Sequence, residues 1–296
     1  MKIGNREFDV NGKCHIMGIL NVTPDSFSDG GKWNNVDVAL RHAEDMIRDG
    51  ADIIDVGGES TRPGHTVISD EEEISRVVPV IEMIKDNFDV PVSIDTYKSN
   101  VCEAALKAGA DLVNDIWGFK HDYRVAELTA RYGAACCLMH NRDNNDYDDF
   151  MTDFISDMKE CVSIADRAGV SRDKIILDPG VGFGKNLQQN LQVTNHVDQL
   201  VKLGFPVLLG TSRKSMIGLT LDLPVDQRLE GTLATTVIGI MRGCSFVRVH
   251  DVKENVRAVK MTEAILRSGQ EAYHGQHQNR RFGGLCGTWC FPIGNQ

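Results

Sequence analysis

The sequence predicts an α/β fold, a (β/α)8 TIM barrel with an N-terminal β-hairpin at the barrel bottom. Three observations carry this. Eight short apolar runs each end on polar residues: Gly18-Ile-Leu-Asn21, Ile53-Ile-Asp55, Ser93-Ile-Asp95, Leu112-Val-Asn114-Asp115, Cys137-Leu-Met-His140, Lys174-Ile-Ile-Leu-Asp178, Leu208-Leu-Gly-Thr-Ser212 and Phe246-Val-Arg248-Val-His250. Strands that deliver polar groups at their C-terminal ends describe a closed parallel barrel with its site at one mouth. Between them the chain repeats one order, helix, glycine, short strand, loop. Its 296 residues suit one barrel of about 250 plus short extensions.

The elements follow in order. Residues 6–10 and 13–20 flank Asn11-Gly12, a type I′ hairpin signal, so the hairpin is expected there. Its second arm runs into the first barrel strand, His15 to Asn21. The polar, turn-rich stretch from Val22 to Gly31 is a candidate lid. Helices are predicted over 37–49, 70–86, 98–108, 122–132, 150–168, 187–203, 228–242 and 252–267. Six of them stop at Gly50, Gly109, Gly133, Gly169, Gly204 and Gly243. Strands are predicted over 53–56, 91–94, 111–114, 134–139, 174–177, 206–210 and 246–250. One domain is expected over 1–268, followed by an irregular, poorly ordered tail over 269–296. In that tail His274, His277, Cys286 and Cys290 have spacings near those of zinc ligands but not typical of them.

Composition narrows the function. Lys and Arg total 32 against 42 for Asp and Glu, a net charge of −10, which disfavours nucleic acid or an anionic membrane as partner. No apolar run approaches the roughly 18 residues of a membrane span. The start, Met1-Lys-Ile-Gly-Asn-Arg-Glu-Phe-Asp9, predicts no signal peptide. The cysteines sit mostly inside apolar runs without framework spacing, as buried reduced thiols in a cytoplasmic protein do.

Several residues carry chemistry. Asp178 opens a Gly-rich loop, Pro179-Gly-Val-Gly-Phe-Gly184, which fits neither a dinucleotide nor a Walker pattern, because Lys185 and Pro179 stand where glycines would be needed. A simple Asp-Pro-Gly turn is the competing reading. Arg248 and His250 share one face of a strand and, with Thr211-Ser-Arg-Lys214-Ser215, form an expected phosphate site after the last two strands. Asn21 offers a neutral oxygen to Mg2+ beside a diphosphate, or else caps a turn. Asp95 and Asn114 add acceptors and an amide deeper in the mouth. Asp115 reads as a cap, His140 and Asn141 as supports behind the site, and Cys136 and Cys137 as core.

The segments Met17–Gly31, Asp55–Gly64, Ser93–Thr96, Val113–Asp115, Leu177–Gly184, Thr211–Ser215 and Arg248–His250 closely resemble the dihydropteroate synthases of folate biosynthesis, over about residues 10 to 267. The resemblance implies condensation of 6-hydroxymethyl-7,8-dihydropterin diphosphate with p-aminobenzoate to give dihydropteroate and pyrophosphate. It implies Mg2+ at Asn21, sulfonamide sensitivity and a homodimer. Asp95, Asn114, Asp178, Phe183 and Lys214 are then expected at the pterin. Asn21, Thr61, Arg62, Arg248 and His250 are expected at the diphosphate, and Thr61, Pro63, Phe183, Lys214 and Ser212 at p-aminobenzoate. Phe27 and Ser28 belong to the lid loop, and Asp95, Lys214, Arg248 and His250 are the expected catalytic set. The short acidic loop 140–149 and the tail after Gly269 depart from the resemblance. A pterin-dependent methyltransferase domain would have no use for the Ser-Arg-Lys loop or for Arg248 and His250, because no diphosphate leaves. A non-catalytic paralogue would be expected to lose some of these residues, and all of them stand.

Overall fold

The computed structural model describes residues 1–22, 32–59 and 67–276. Strands β1 (Lys2–Ile3) and β2 (Arg6–Glu7) form a small antiparallel hairpin. The barrel follows, from β3 (His15–Asn21) and α1 (Lys32–Asp49) through β4 (Ile53–Gly57), α2 (Asp70–Asn87), β5 (Val92–Asp95), α3 (Ser99–Lys107), β6 (Leu112–Asp115) and α4 (Tyr123–Tyr132). Its second half comprises β7 (Ala135–Met139), α5 (Phe150–Ala168), β8 (Ile175–Asp178), α6 (Leu187–Asn195), α7 (Asp198–Val201), β9 (Leu208–Leu209), α8 (Ser215–Leu221), α9 (Leu229–Met241), β10 (Phe246–Val249) and α10 (Val252–Gln276). The parallel strands lie in the order β8-β7-β6-β5-β4-β3-β10-β9, and a parallel bridge from Leu177 to Val207 joins the two ends of the ring.

Strand alternation sorts the residues into two layers. Outward-facing Ile16, Leu20, Ile54, Val56, Val113 and Leu177 pack against the helices in the main core. Inward-facing Met17, Ile53, Leu112, Cys137, Ile176, Leu208 and Phe246 form a separate cluster that Ile3 and Phe8 complete from below. Closing that end contributes roughly 1.5–3 kcal/mol for each of these two side chains. The predicted glycine stops have a backbone reason: Gly133 and Gly169 cap α4 and α5 in the left-handed conformation, at φ 63° and 87°.

Four local expectations are corrected. The hairpin exists, but its turn lies at Gly4-Asn5, with Ile3 opposite Arg6, not at Asn11-Gly12. There the Asp9 carboxylate accepts from the backbone N–H groups of Asn11 and Gly12 at 3.2 and 3.0 Å, a side-chain turn that replaces the hairpin. The helix expected over 187–203 breaks at His196 and Val197 into α6 and α7. Thr194, Asn195 and His196, all weak helix formers, lead into the break. The seven-residue α8 was not foreseen, because a segment containing Gly218 and Thr220 is too short to show a helical period. A Cβ at Gly218 would fall 2.2 Å from the end of the Arg228 side chain, so the guanidinium would have to shift. Finally, α10 runs past its predicted end at 267 to Gln276, so the first part of the expected tail is helical.

Candidate active site

The polar ends of the inward-facing rows meet just above the apolar layer. Asp95 pairs in register with Gly57 on one side and Asn114 on the other, and Met139 with Asp178. Arg248, from β10, reaches across the barrel: its Nε donates to Asp55 Oδ2 and its Nη2 to Asp95 Oδ2, each at 2.6 Å. Asn114 Nδ2 approaches the same Asp55 oxygen at 3.4 Å. Asp178 Oδ1 accepts from Gly180 N at 2.7 Å, folding the Gly-rich loop over the strand end.

Lys214 enters from the loop after β9. The residue before it, Arg213, stands at φ 56°, a left-handed turn held by an ion pair with Asp251 and by donation from its N–H to Thr232 Oγ1 at 3.0 Å. That turn sends Arg213 outward and Lys214 inward. Lys214 Nζ donates to the Val181 carbonyl at 2.6 Å and lies 4.9 Å from the centre of the Phe183 ring.

Three carboxylates, Asp55, Asp95 and Asp178, therefore share a buried well with two cations. Among the described residues, Asp55 Oδ1 and Asp95 Oδ1 are buried without a hydrogen-bond partner, as is Ser93 Oγ. Each such buried acceptor costs on the order of 1–3 kcal/mol until a donor meets it. The well is accordingly built for a ligand carrying several N–H donors along one edge. Burial raises Asp95 to about 7 against the opposing pull of Arg248, and raises Asp178 against Lys214 and the Gly180 N–H. Burial also lowers Lys214 to about 8. For Arg248 burial works against the charge, but Asp55 and Asp95 outweigh it and raise its pKa.

A donor-bearing ligand prefers the ionised carboxylates and so lowers their pKa on binding. Binding of such a ligand at pH 6 is thus expected to release protons and to weaken as the pH falls through 7, as Asp95 takes up a proton. Calorimetry in two buffers of different ionisation heat reads this directly, and a binding enthalpy that ignores the buffer would contradict it.

The neighbouring strand ends bring Ser212 and His250 together. Ser212 Oγ accepts from His250 N at 3.1 Å and lies 3.0 Å from His250 Nδ1. Ser212, expected at p-aminobenzoate, is 5% exposed and its hydrogen bonds to His250 orient that imidazole. Asn21 ends β3 with Oδ1 against Gly57, 3.5 Å from where a Cβ would stand. Phe27, Ser28, Thr61, Arg62 and Pro63 lie outside the described residues. The flanks of the segment bearing the last three are drawn together, because Glu59 Oε2 accepts from Ile68 N at 3.0 Å and Lys98 Nζ donates to both Glu59 and the Ile68 carbonyl.

The structure thus brings Asp95, Asn114, Asp178, Phe183, Lys214 and Arg248 to one well, with the Ser212–His250 pair on the neighbouring strand end. Asp55 was not among the expected site residues, although it stands two residues after inward-facing Ile53 and therefore shares its face. Asp115 points the other way. Its two oxygens accept from Trp117 N at 2.7 Å and Phe119 N at 3.0 Å, closing a loop ahead of α4 and not capping a helix. His140 is fully buried behind the Gly-rich loop. Cys136 and Cys137 are buried in the barrel wall and burial raises both thiols, which excludes them as nucleophiles.

Comparison with known proteins points the same way. The family described as "Pterin binding enzyme" matches residues 17–250. A dihydropteroate synthase of Clostridium beijerinckii is 63% identical over 268 residues, covering 90% of this chain and all of that protein. The crystal structure of a dihydropteroate synthase from Clostridium difficile in the presence of pteroic acid superposes with a TM-score of 0.86 at 53% identity, covering 88% of this chain and 99% of that one. A Xanthomonas albilineans dihydropteroate synthase with 4-aminobenzoic acid gives a TM-score of 0.82 at 39% identity, covering 86% and 93%.

Proposed function

We infer the chemistry below for a chain that belongs to the pterin binding enzyme family and acts as a dihydropteroate synthase, a transferase of folate biosynthesis. The observation that carries the assignment of roles is the pair of buried, unpartnered carboxylate oxygens beside Asp178. The amide and guanidine edge of a dihydropterin presents the donors they lack. Asp178 Oδ2 accepts from that edge, Asn114 serves donor and acceptor alike, and Lys214 donates to the pterin carbonyl.

The reaction breaks the bond between the pterin methylene carbon and the diphosphate oxygen, and forms a carbon–nitrogen bond to the aniline of p-aminobenzoate. The aniline nitrogen gives up one proton, and the bonding pair leaves with the pyrophosphate. Arg248 and His250 take up charge on the departing oxygens, with Thr61 and Arg62. A dihydropterin is electron-rich, so the cleavage is dissociative, and Asp95 stabilises the positive charge that develops at the methylene carbon. The Phe183 ring and the Lys214 stem form one wall for p-aminobenzoate and Pro63 another. A neutral aniline attacks without a strong general base.

Mg2+ fits Asn21 as its protein ligand: the carboxamide oxygen lies at the mouth beside Gly57, and Mg2+ keeps several waters and draws its remaining oxygens from a diphosphate. Bound there, the ion would offset charge on the leaving group. A homodimer is the expected assembly. Its support is the set of exposed apolar side chains on the last three helices, Leu219 of α8, Met241 of α9 and Met261 and Ile265 of α10. Light scattering should give twice the chain mass of 32.7 kDa. Among the described residues no helix is long and apolar enough to cross a membrane. The buried free thiols suit the reducing cytoplasm.

The test of the dissociative step uses substrate labelled with oxygen-18 in the bridge between carbon and phosphorus. Substrate recovered after partial turnover should carry the label scrambled into non-bridging positions. Label retained throughout turnover would contradict the dissociative route.

A further inference from the structure

We propose that Lys185 is a positioning residue for the amine substrate: its ammonium holds the Gly180–Phe183 turn so that the Phe183 ring and the Val181 carbonyl stand where Lys214 and p-aminobenzoate need them. The inference rests on the reading of Phe183 and Lys214 as the wall for that substrate. As the cation closing a Gly-rich loop, Lys185 would by type be a phosphate ligand, but its geometry excludes that role. Nζ donates to Phe183 O at 2.9 Å, to Gly180 O at 3.0 Å and to His140 Nδ1 at 2.8 Å. An ammonium has three donors, and all three are engaged within the turn and its support.

The acceptor on His140 is itself fixed. With Nδ1 accepting from Lys185, the ring proton sits on Nε2, which donates to Asp157 Oδ2 at 2.9 Å. Asp157 is held in turn by Arg142, through Nε at 2.6 Å and Nη2 at 3.2 Å. Burial lowers His140 to about 4 despite Asp157, so the imidazole stays neutral and able to accept. Burial lowers the Lys185 pKa well below its ordinary value, with Lys214 and Lys120 adding to this and Asp178 and Asp157 opposing it, but the three partners of Nζ are all acceptors and call for all three ammonium donors.

The turn is held from its other sides as well. Gly182 N donates to Asn190 Oδ1 at 2.6 Å, and Tyr147 OH donates to Gly184 O at 2.6 Å. A Cβ at Gly180 would stand 1.9 Å from the His140 carbonyl, so the backbone of the turn rests directly on that residue. The turn closes through its own bond from Phe183 N to Gly180 O at 3.1 Å, and Lys185 adds a side-chain clamp on the carbonyls of both residues; among the described residues, Val181 O and the Phe183 ring are the parts of the turn that meet Lys214. Asp178 lies on β8 and keeps its place through the strand, so loss of Lys185 should separate the two substrates.

The experiment measures KM for each substrate and kcat in Lys185→Met, Lys185→Arg and His140→Gln, with the thermal midpoint of each. Misplacing a contact by about an ångström can cost on the order of a hundredfold, so a partial release of the turn should raise KM for p-aminobenzoate about tenfold in Lys185→Met. KM for the dihydropterin diphosphate should stay within about threefold, and Lys185→Arg, which keeps charge and donors, should recover much of the loss. Should Lys185→Met fail to fold, His140→Gln carries the test, with a smaller rise in the same KM. Unchanged KM for p-aminobenzoate in folded variants, or equal changes in both KM values, overturns the proposal. An inactive wild-type enzyme in the same assay would instead overturn the reading of the reaction.

Discussion

Asp178→Asn is expected to lower kcat/KM for the dihydropterin diphosphate by about 10³-fold, from two charge-assisted hydrogen bonds worth roughly 1.5–3 kcal/mol each. The Asn carbonyl can still accept from Gly180 N in place of Oδ1, so the Gly-rich loop keeps its anchor. What changes is the second atom, which turns from an acceptor into an N–H facing the donors of the ligand. A site built for donors rejects the mismatch because buried groups are left unpaired. The fold should not suffer. Burial raises the Asp178 pKa above its unfolded value, so the ionised form costs stability above the folded pKa, and a neutral Asn removes that cost. The thermal midpoint at pH 8 should therefore stay within about 4 °C of the wild type. Steady-state kinetics beside a melting curve check this, and a loss of activity that tracks loss of folded protein would contradict it.

Arg248→Met should lose both activity and stability, and the stability loss should depend on pH. Arg248 is 17% exposed at its side chain, and Asp55 and Asp95 are 0% and 5% exposed. Removing the shared cation leaves two carboxylates facing each other, and breaking a buried pair in this way costs roughly 3–5 kcal/mol. Without the cation the two facing carboxylates repel each other, so the destabilisation is present while both are ionised and fades as the pH falls and one carboxyl takes up a proton. Denaturant unfolding should show a large deficit at pH 8 and a smaller one at pH 6. Adding Asp55→Asn should restore most of the stability and none of the activity, because the leaving group still lacks its cation. A deficit equal at both pH values would contradict the shared-cation account.

Strand ends were the part of this molecule most legible in the sequence. A polar residue that ends the inward-facing row of a strand points into the mouth, as Asp95, Asn114, Asp178 and Arg248 do, whereas Asp115, one position on from Asn114, points away. Helix ends were nearly as legible, because glycines such as Gly133 and Gly169 take a backbone conformation that other residues resist. Local turn chemistry misled at Asn11-Gly12, where the Asp9 side chain captured the amides a hairpin would have used. Partnership was the least legible property. Nothing in the spacing says that Arg248 joins Asp55 to Asp95 across the barrel, or that Ser212 turns to His250, because such pairs form between residues distant in sequence. The same holds for Lys185, whose residue type suggests phosphate and whose three hydrogen bonds point elsewhere.

Pyrophosphate release from the dihydropterin diphosphate, with and without p-aminobenzoate, tests the two-substrate reading of the well most directly when Asp178→Asn and Arg248→Met are run beside the wild type. Release that requires the amine, matches dihydropteroate formed one for one, and collapses in both variants is the predicted result. Binding of the pterin without any amine-dependent release would contradict it.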